Sequence, residues 1–179
     1  FASRNVLLSF EDKSLYKRAA FVDPDFLEMF GFPLRDGDPR SVLAANQSAV
    51  ITEKTARAVF GNADPIGKIL SVNTNQFQVP VTGIVEDPPT NSTLQFDVLI
   101  PVKIAGDAVD TDWSYESECY VLLDANASLD DVRKKIAPVV MKYDQRVNTL
   151  RTLDLEPLTR IHLFNLEGGG PILYVQIFA

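Results

Sequence analysis

The chain has 179 residues, 46% hydrophobic and 23% charged, with a formal net charge of −7, which is enough apolar material for one compact domain or two small ones. The acidic balance, with no basic run longer than Lys134-Lys135, excludes a nucleic-acid-binding surface, because that affinity rests on Lys and Arg neutralising phosphates. The single cysteine, Cys119, excludes an internal disulfide, and no stretch approaches the roughly 20 apolar residues of a membrane-spanning helix.

Asp23 is placed as an N-cap, with Pro24 at the favoured first position of a short helix whose apolar side is Phe26, Leu27 and Phe30 and which Gly31 ends. Ala49-Val50-Ile51 reads as a short buried strand. Thr52 then caps a helix with Ala56, Val59 and Phe60 on one face, a spacing that marks core packing. In the run Phe60-Gly-Asn-Ala-Asp-Pro-Ile-Gly-Lys68, Gly61 sits where a helix must end in a left-handed turn. Pro65 cannot continue a helix, and Gly67 allows a second tight turn before a strand.

From Gly67 to Val85, two Val- and Ile-rich runs flank Asn73-Thr-Asn-Gln76, a polar connection suited to a hairpin. Pro80 lacks an amide donor, so an edge or bulge is expected, with ladder pairing broken over Gln78 to Val81. Leu94, Phe96, Val98 and Ile100 alternate with Gln95, Asp97 and Leu99 in an expected half-buried strand ended by Pro101. Gly106 to Glu118 is polar and acidic and reads as a linker. Its carboxylates, Asp107, Asp110, Asp112, Glu116 and Glu118, are either a solvated loop or a calcium site, though without the Asp-x-Asp-x-Asp-Gly order of a calcium-wrapping loop.

Glu118 to Leu123 then reads as a strand, Ser128-Leu-Asp-Asp131 as a capping box, and Val132, Ile136, Val139, Val140 and Tyr143 as one helical face. Pro138 should break that helix near Lys135 to Pro138. Leu153 and Leu155 alternate with polar neighbours, so strand, helix and strand suggest a βαβ unit with a right-handed crossover. Gly168-Gly-Gly170 reads as a hinge. Pro171 to Ala179 is apolar apart from Gln176 and by itself reads as a C-terminal strand.

Reactive chemistry is sparse. His162 is the sole histidine and sits among packing positions. Nucleophile-elbow, zincin and Walker signatures are absent, and neither Cys119 nor His162 carries a local motif for thiol catalysis. Asp87 or the 107–118 carboxylates could serve as an acid and base pair. Asn46-Gln-Ser48, Asn91-Ser-Thr93 and Asn126-Ala-Ser128 match the glycosylation triplet; loop and cap roles are the alternative, with Asn91 and Ser92 bonding the turn after Pro88-Pro89.

Several blocks occur together in one order. They are Phe21-Val-Asp-Pro-Asp-Phe26 with Met29-Phe30, Leu34 with Gly37-Asp-Pro39, and Ala49-Val-Ile-Thr52 with Ala56 and Phe60-Gly61. Pro65-Ile-Gly67, Val81-Thr-Gly83, Asp87-Pro-Pro89 with Asn91-Ser92, Trp113, Tyr120-Val-Leu122 and Leu158 to Leu163 follow. In this order they resemble the large extracytoplasmic domain of MacB-like, FtsX-like ABC transporter permeases, from about Phe21 to Leu163. The resemblance makes Asp23, Phe26, Phe30, Gly37, Thr52, Ala56, Phe60, Gly61, Pro65, Gly67, Gly83, Pro89, Ser92 and His162 signature positions with structural roles.

It also implies an α+β fold, a β-rich (Sabre-like) subdomain inserted in or preceding a βαβ (Porter-like) one. Residues 1–105 would form the first, 106–118 the linker and 119–167 the second, with 168–179 a hinge leading into a membrane helix. The chain would be an excised piece of a longer protein, lacking the domain's first βα elements, with a sheet edge exposed or capped by Val6 to Phe10.

The implied role is on the periplasmic face of the bacterial inner membrane, coupling cytoplasmic ATP hydrolysis to movement outside it, with no cofactor and no catalysis. The implied partners are a cytoplasmic ATPase subunit, a second permease copy and a periplasmic partner or cargo protein. A free-standing α/β enzyme using paired carboxylates and an extracellular ligand-binding module remain the alternatives.

Overall fold

The computed structural model of the chain describes residues 1–74, 76–106, 118–139 and 153–158. The chain divides into two units, Phe1–Leu122 and Leu123–Ala179.

In the first unit the elements are β1 (Ala2–Phe10), β2 (Lys13–Val22), α1 (Phe26–Phe30), β3 (Leu34–Asp36), β4 (Ala49–Thr52), α2 (Glu53–Phe60), β5 (Ile69–Val72), β6 (Phe77–Val85), β7 (Val98–Pro101) and a 3₁₀ turn at Val102–Ala105. The strands form one sheet in the order β3-β6-β4-β7-β2-β1-β5, and β5 also pairs with β6. The sheet therefore closes on itself as a ring of β6, β4, β7, β2, β1 and β5, with β3 lying along the far end of β6. Pairing is antiparallel except for β2–β7 and β4–β6, which are parallel.

Alternation along the strands sorts their side chains into two cores. One draws on all six ring strands and includes Val6, Leu8, Ala19, Ile51, Leu70, Val79, Val98 and Ile100. It fills the interior, as in small closed barrels, and α2 covers one end of it with Ala56, Val59 and Phe60. The Phe60 ring there lies 4.6 Å from that of Phe10. The opposite faces of the same strands, Ala20 and Val22, Val50, Leu99 and Val85, build a second core outside the ring, covered by α1 and by Val42, Leu43, Leu94 and Phe96. β4 and β7 are consequently buried on both faces.

Several expectations are met by identifiable local chemistry. The Thr52 side chain accepts from the Thr55 amide at the start of α2. Gly31 ends α1 in the left-handed conformation. β5 and β6 pair from Val72↔Phe77 to Ile69↔Pro80 around the Asn73–Gln76 connection.

Other expectations are corrected. α1 begins at Phe26 with Asp25 as its N-cap; Asp23 acts one turn earlier, its carbonyl accepting from the Phe26 amide at 3.1 Å around Pro24. Gly61 has the expected positive φ of 64°, but its ψ of −117° lies outside the left-handed helical basin. Pairing on the β5 side is not broken over Gln78 to Val81. Val81 donates toward β5, to the Lys68 carbonyl, so the missing amide of Pro80 points the other way, where β4 pairing begins only at Ala49↔Val81 and a register shift follows. β7 is shorter than expected, starts at Val98 and is wholly buried, because it lies between β2 and β4; Leu94 and Phe96 precede it outside any strand. Val6 to Phe10 do not cap an edge but belong to β1, paired with β2 and β5.

In the second unit, α3 (Leu129–Ile136) starts at Ser128, whose side chain accepts from the Asp131 amide, and stops before Pro138 as expected. The strand expected around Leu153 and Leu155 is not formed, nor is the one expected at Glu118–Leu123, which lies mostly in the first unit. The Leu155 carbonyl instead accepts from Arg133 of α3, Nη2 at 2.6 Å and Nε at 3.1 Å, and Asp154 pairs with Arg133 Nε at 2.9 Å. A side chain thus supplies what a ladder would have supplied. Val140, Tyr143, Trp113, Leu163, the 107–116 carboxylates, His162, Gly168–Gly170 and 171–179 lie outside the described residues.

Candidate functional site

The described residues among the expected signature positions lie at three places in the first unit. At α1, Phe26 is the centre of an aromatic cluster. Its ring stacks with those of Phe1 and Phe32 at 5.7 Å, lies 5.0 Å from Phe30, and meets Phe96 edge-on at 5.9 Å. Phe30 meets Tyr120 edge-on at 5.0 Å. Reciprocal backbone bonds between Phe1 and Glu118, at 2.7 and 2.8 Å, bring the 118–120 segment to this cluster. The Tyr120 hydroxyl donates to Glu118 at 2.7 Å. Burial of the phenol, then that hydrogen bond and the charge of Glu118, push its pKa well above the ordinary value.

The second place is the contact between Gly37 and Gly83. A Cβ on Gly83 would lie 2.9 Å from Val42 Cγ1. One on Gly37, which has φ +102°, would lie 2.6 Å from the same atom and 2.9 Å from the Thr82 carbonyl. The Thr82 hydroxyl reaches both the Val42 and Ala49 carbonyls, at 2.6 and 3.2 Å. These glycines let the chain after β3 lie against β6.

The third place surrounds α2. Ala56 and Phe60 face the interior, Thr52 is buried at the start of α2, Pro65 is buried, and Gly67 turns with φ +76° so that its amide donates to the Val81 carbonyl. Nearby, Pro89 and Ser92 form a turn: the Ser92 amide donates to the Pro89 carbonyl, and the Ser92 hydroxyl accepts from the Leu94 amide at 3.1 Å. Asp87 is held as a helix anchor, accepting from the Lys54 amide at 3.3 Å and lying 3.9 Å from Arg57. Arg35 bridges Glu53 and Glu86 at 3.5 and 3.0 Å.

No group of His, Cys, Asp and Glu among the described residues is placed to hold a metal ion, and no helix among them is long and apolar enough to cross a membrane. Cys119 is exposed. One open concavity of about 540 Å³ lies between the two hairpins, lined by Leu7, Ser9, Phe10, Glu11 and Ser14 from one and by Ile69, Ser71, Thr74 and Gln78 from the other. Sequence reading did not single it out. Its signal was the alternation of Val6, Leu8 and Phe10 with Asn5, Leu7 and Ser9, which marks β1 as a strand.

The model of one family, the MacB-like periplasmic core domain, matches residues 3–139. The chain belongs to that family. It is the periplasmic domain of a MacB-like ABC transporter permease. The match begins within β1, before the Phe21 at which the sequence resemblance starts. Solved structures share the fold. One is a permease-protein domain from Porphyromonas gingivalis, at 24% identity and TM-score 0.66 over 89% of this chain and 76% of that one. Another is the periplasmic region of MacB from Actinobacillus actinomycetemcomitans, at 19% and 0.56 over 78% of this chain and 63% of that one. A third is the extracellular domain of the noncanonic ABC-type transporter YknZ from Gram-positive bacteria, at 15% and 0.57 over 87% and 78%. No curated protein matches. The mixed, strand-dominated MacB-like architecture accords with the expected α+β class.

Proposed function

We propose that this MacB-like periplasmic core domain transmits movement, passing the stroke of a cytoplasmic ATPase subunit to a periplasmic partner or cargo. It would do so within a permease that pairs with a second copy, and it would catalyse nothing itself. The family match over residues 3–139 carries the reading. A sheet closed into a ring and packed on both faces is a suitable rigid lever. Titrating the chain with ATP in a calorimeter should give no specific heat; saturable binding would overturn the passive role.

Partner contact falls at the two turn-rich loops, Gly31 to Pro39 and Asp87 to Thr93. Loops on a rigid scaffold commonly carry recognition, and these two begin side by side, since the Glu86 amide donates to the Pro33 carbonyl at 3.0 Å. Exchanging both loops for unrelated turns should abolish transport while ATP hydrolysis continues. Unaltered transport would remove the loops from the mechanism.

A further inference from the structure

The ring is not joined equally all the way round. β1 pairs with β2 along its whole length, from Ala2↔Phe21 to Phe10↔Lys13. With β5 it shares only Leu8↔Val72 and Ser9↔Ser71. Asn73 prolongs that joint: its amide donates to the Leu7 carbonyl at 2.9 Å, and its side-chain oxygen accepts from the Leu7 amide at 3.2 Å. Asn73 and Thr74 hold φ of 49° and 54° to do this, a conformation that Asn tolerates and a β-branched Thr resists.

β4 and β7 share an equally short ladder, Val50↔Leu99 and Ile51↔Val98. There all four side chains are fully buried, and the Thr52 amide extends the joint to the Asp97 carbonyl at 3.0 Å. The β1–β5 joint instead has the open concavity directly over it, lined by both hairpins. Water reaches its outer face, and few backbone bonds hold it.

Local opening is cheapest where bonds are few and solvent is near. We propose that the β1–β5 joint is a gate in the ring. The β1–β2 and β5–β6 hairpins part there, while β2, β7, β4 and β6 stay paired, and Asn73 is the latch. The use of this gate in transport rests on the function proposed above; the gate itself does not.

Native-state hydrogen exchange on the whole chain tests it. The Leu7 and Asn73 amides should exchange about 100-fold faster than those of Thr52 and Asp97, through an opening short of global unfolding. Asn73→Gly keeps the backbone conformation but removes the side-chain acceptor. It should speed exchange at Leu7 by about 10-fold and leave Thr52 unchanged. In a Cys119→Ser background, the pair Ser9→Cys and Ser71→Cys, on directly opposed residues, should slow Leu7 when oxidised and release it when reduced.

Leu7 and Asn73 exchanging at the same rate as Thr52 in the unaltered chain would overturn the gate. So would an oxidised cross-link that left Leu7 exchange unchanged. A permease that transports normally with a cross-link shown to slow Leu7 would remove the gate from transport while leaving the function of the domain untouched.

Discussion

Gly37 and Gly83 share a packing constraint that no local pattern in the sequence displays. Both were marked as positions of the family pattern, yet neither lies near the other in the chain; what unites them is Val42 Cγ1, within 3 Å of the Cβ that either would carry. Gly83→Ala should cost about 1–3 kcal/mol through overpacking, and Gly37→Ala more, because φ +102° strains any side chain. In denaturant titrations, Val42→Ala should cost less in the Gly83→Ala background than in the parent chain, the mark of a shared contact. Strict additivity would disprove the clash. At Tyr120 the sign of the pH effect follows from its raised pKa. The native phenol keeps its proton longer than the unfolded one, so its contribution is intact below about pH 10 and is lost as pH rises beyond that value. Tyr120→Phe should therefore flatten the alkaline fall in melting temperature, and an unchanged slope would refute the assignment.

Among the elements, α2 was readable because its signals are local. Thr52, Ala56, Val59 and Gly61 each act within one or two turns. Thr52→Ala removes the bond to the Thr55 amide and strands the buried Thr55 hydroxyl, to which Thr52 donates at 3.1 Å. It should destabilise the domain by about 1–2 kcal/mol, read as a lower denaturant midpoint at constant m-value. The β1–β2 hairpin escaped notice because its two-residue turn, Glu11-Asp12, contains neither Gly nor Asn, although Glu11 takes φ 50°. β7 was misjudged for a different reason. Alternation in Leu94 to Ile100 suggested a half-buried strand, but its place between β2 and β4 is a property of the topology and hides both faces. Of the two strands expected around α3, the one at Leu153 and Leu155 is replaced by contacts of Leu155 and Asp154 with Arg133, and the one at Glu118 to Leu123 by contacts of 118–120 with Phe1 and Phe30.

At the scale of the whole molecule, the α+β class and the family were accessible from ordered short blocks, whereas ring closure was not. No local pattern announces that β6 will pair with β3, β4 and β5 at once. Nor does composition mark the β1–β5 joint, whose ladder is as short as that of β4–β7 and which differs from it in having an open concavity over its outer face. The parallel β2–β7 pairing has one more consequence, for biosynthesis. Arg18 and Asp97 are bonded neighbours across 79 positions of chain, so at roughly 5–20 residues per second a ribosome needs several seconds between making one and the other. Throughout that interval β2 has an unpaired border and Phe21, Ala19 and Val6 have no lid. A ribosome stalled before Val98 would hold a nascent chain whose β2 has not yet met its parallel partner.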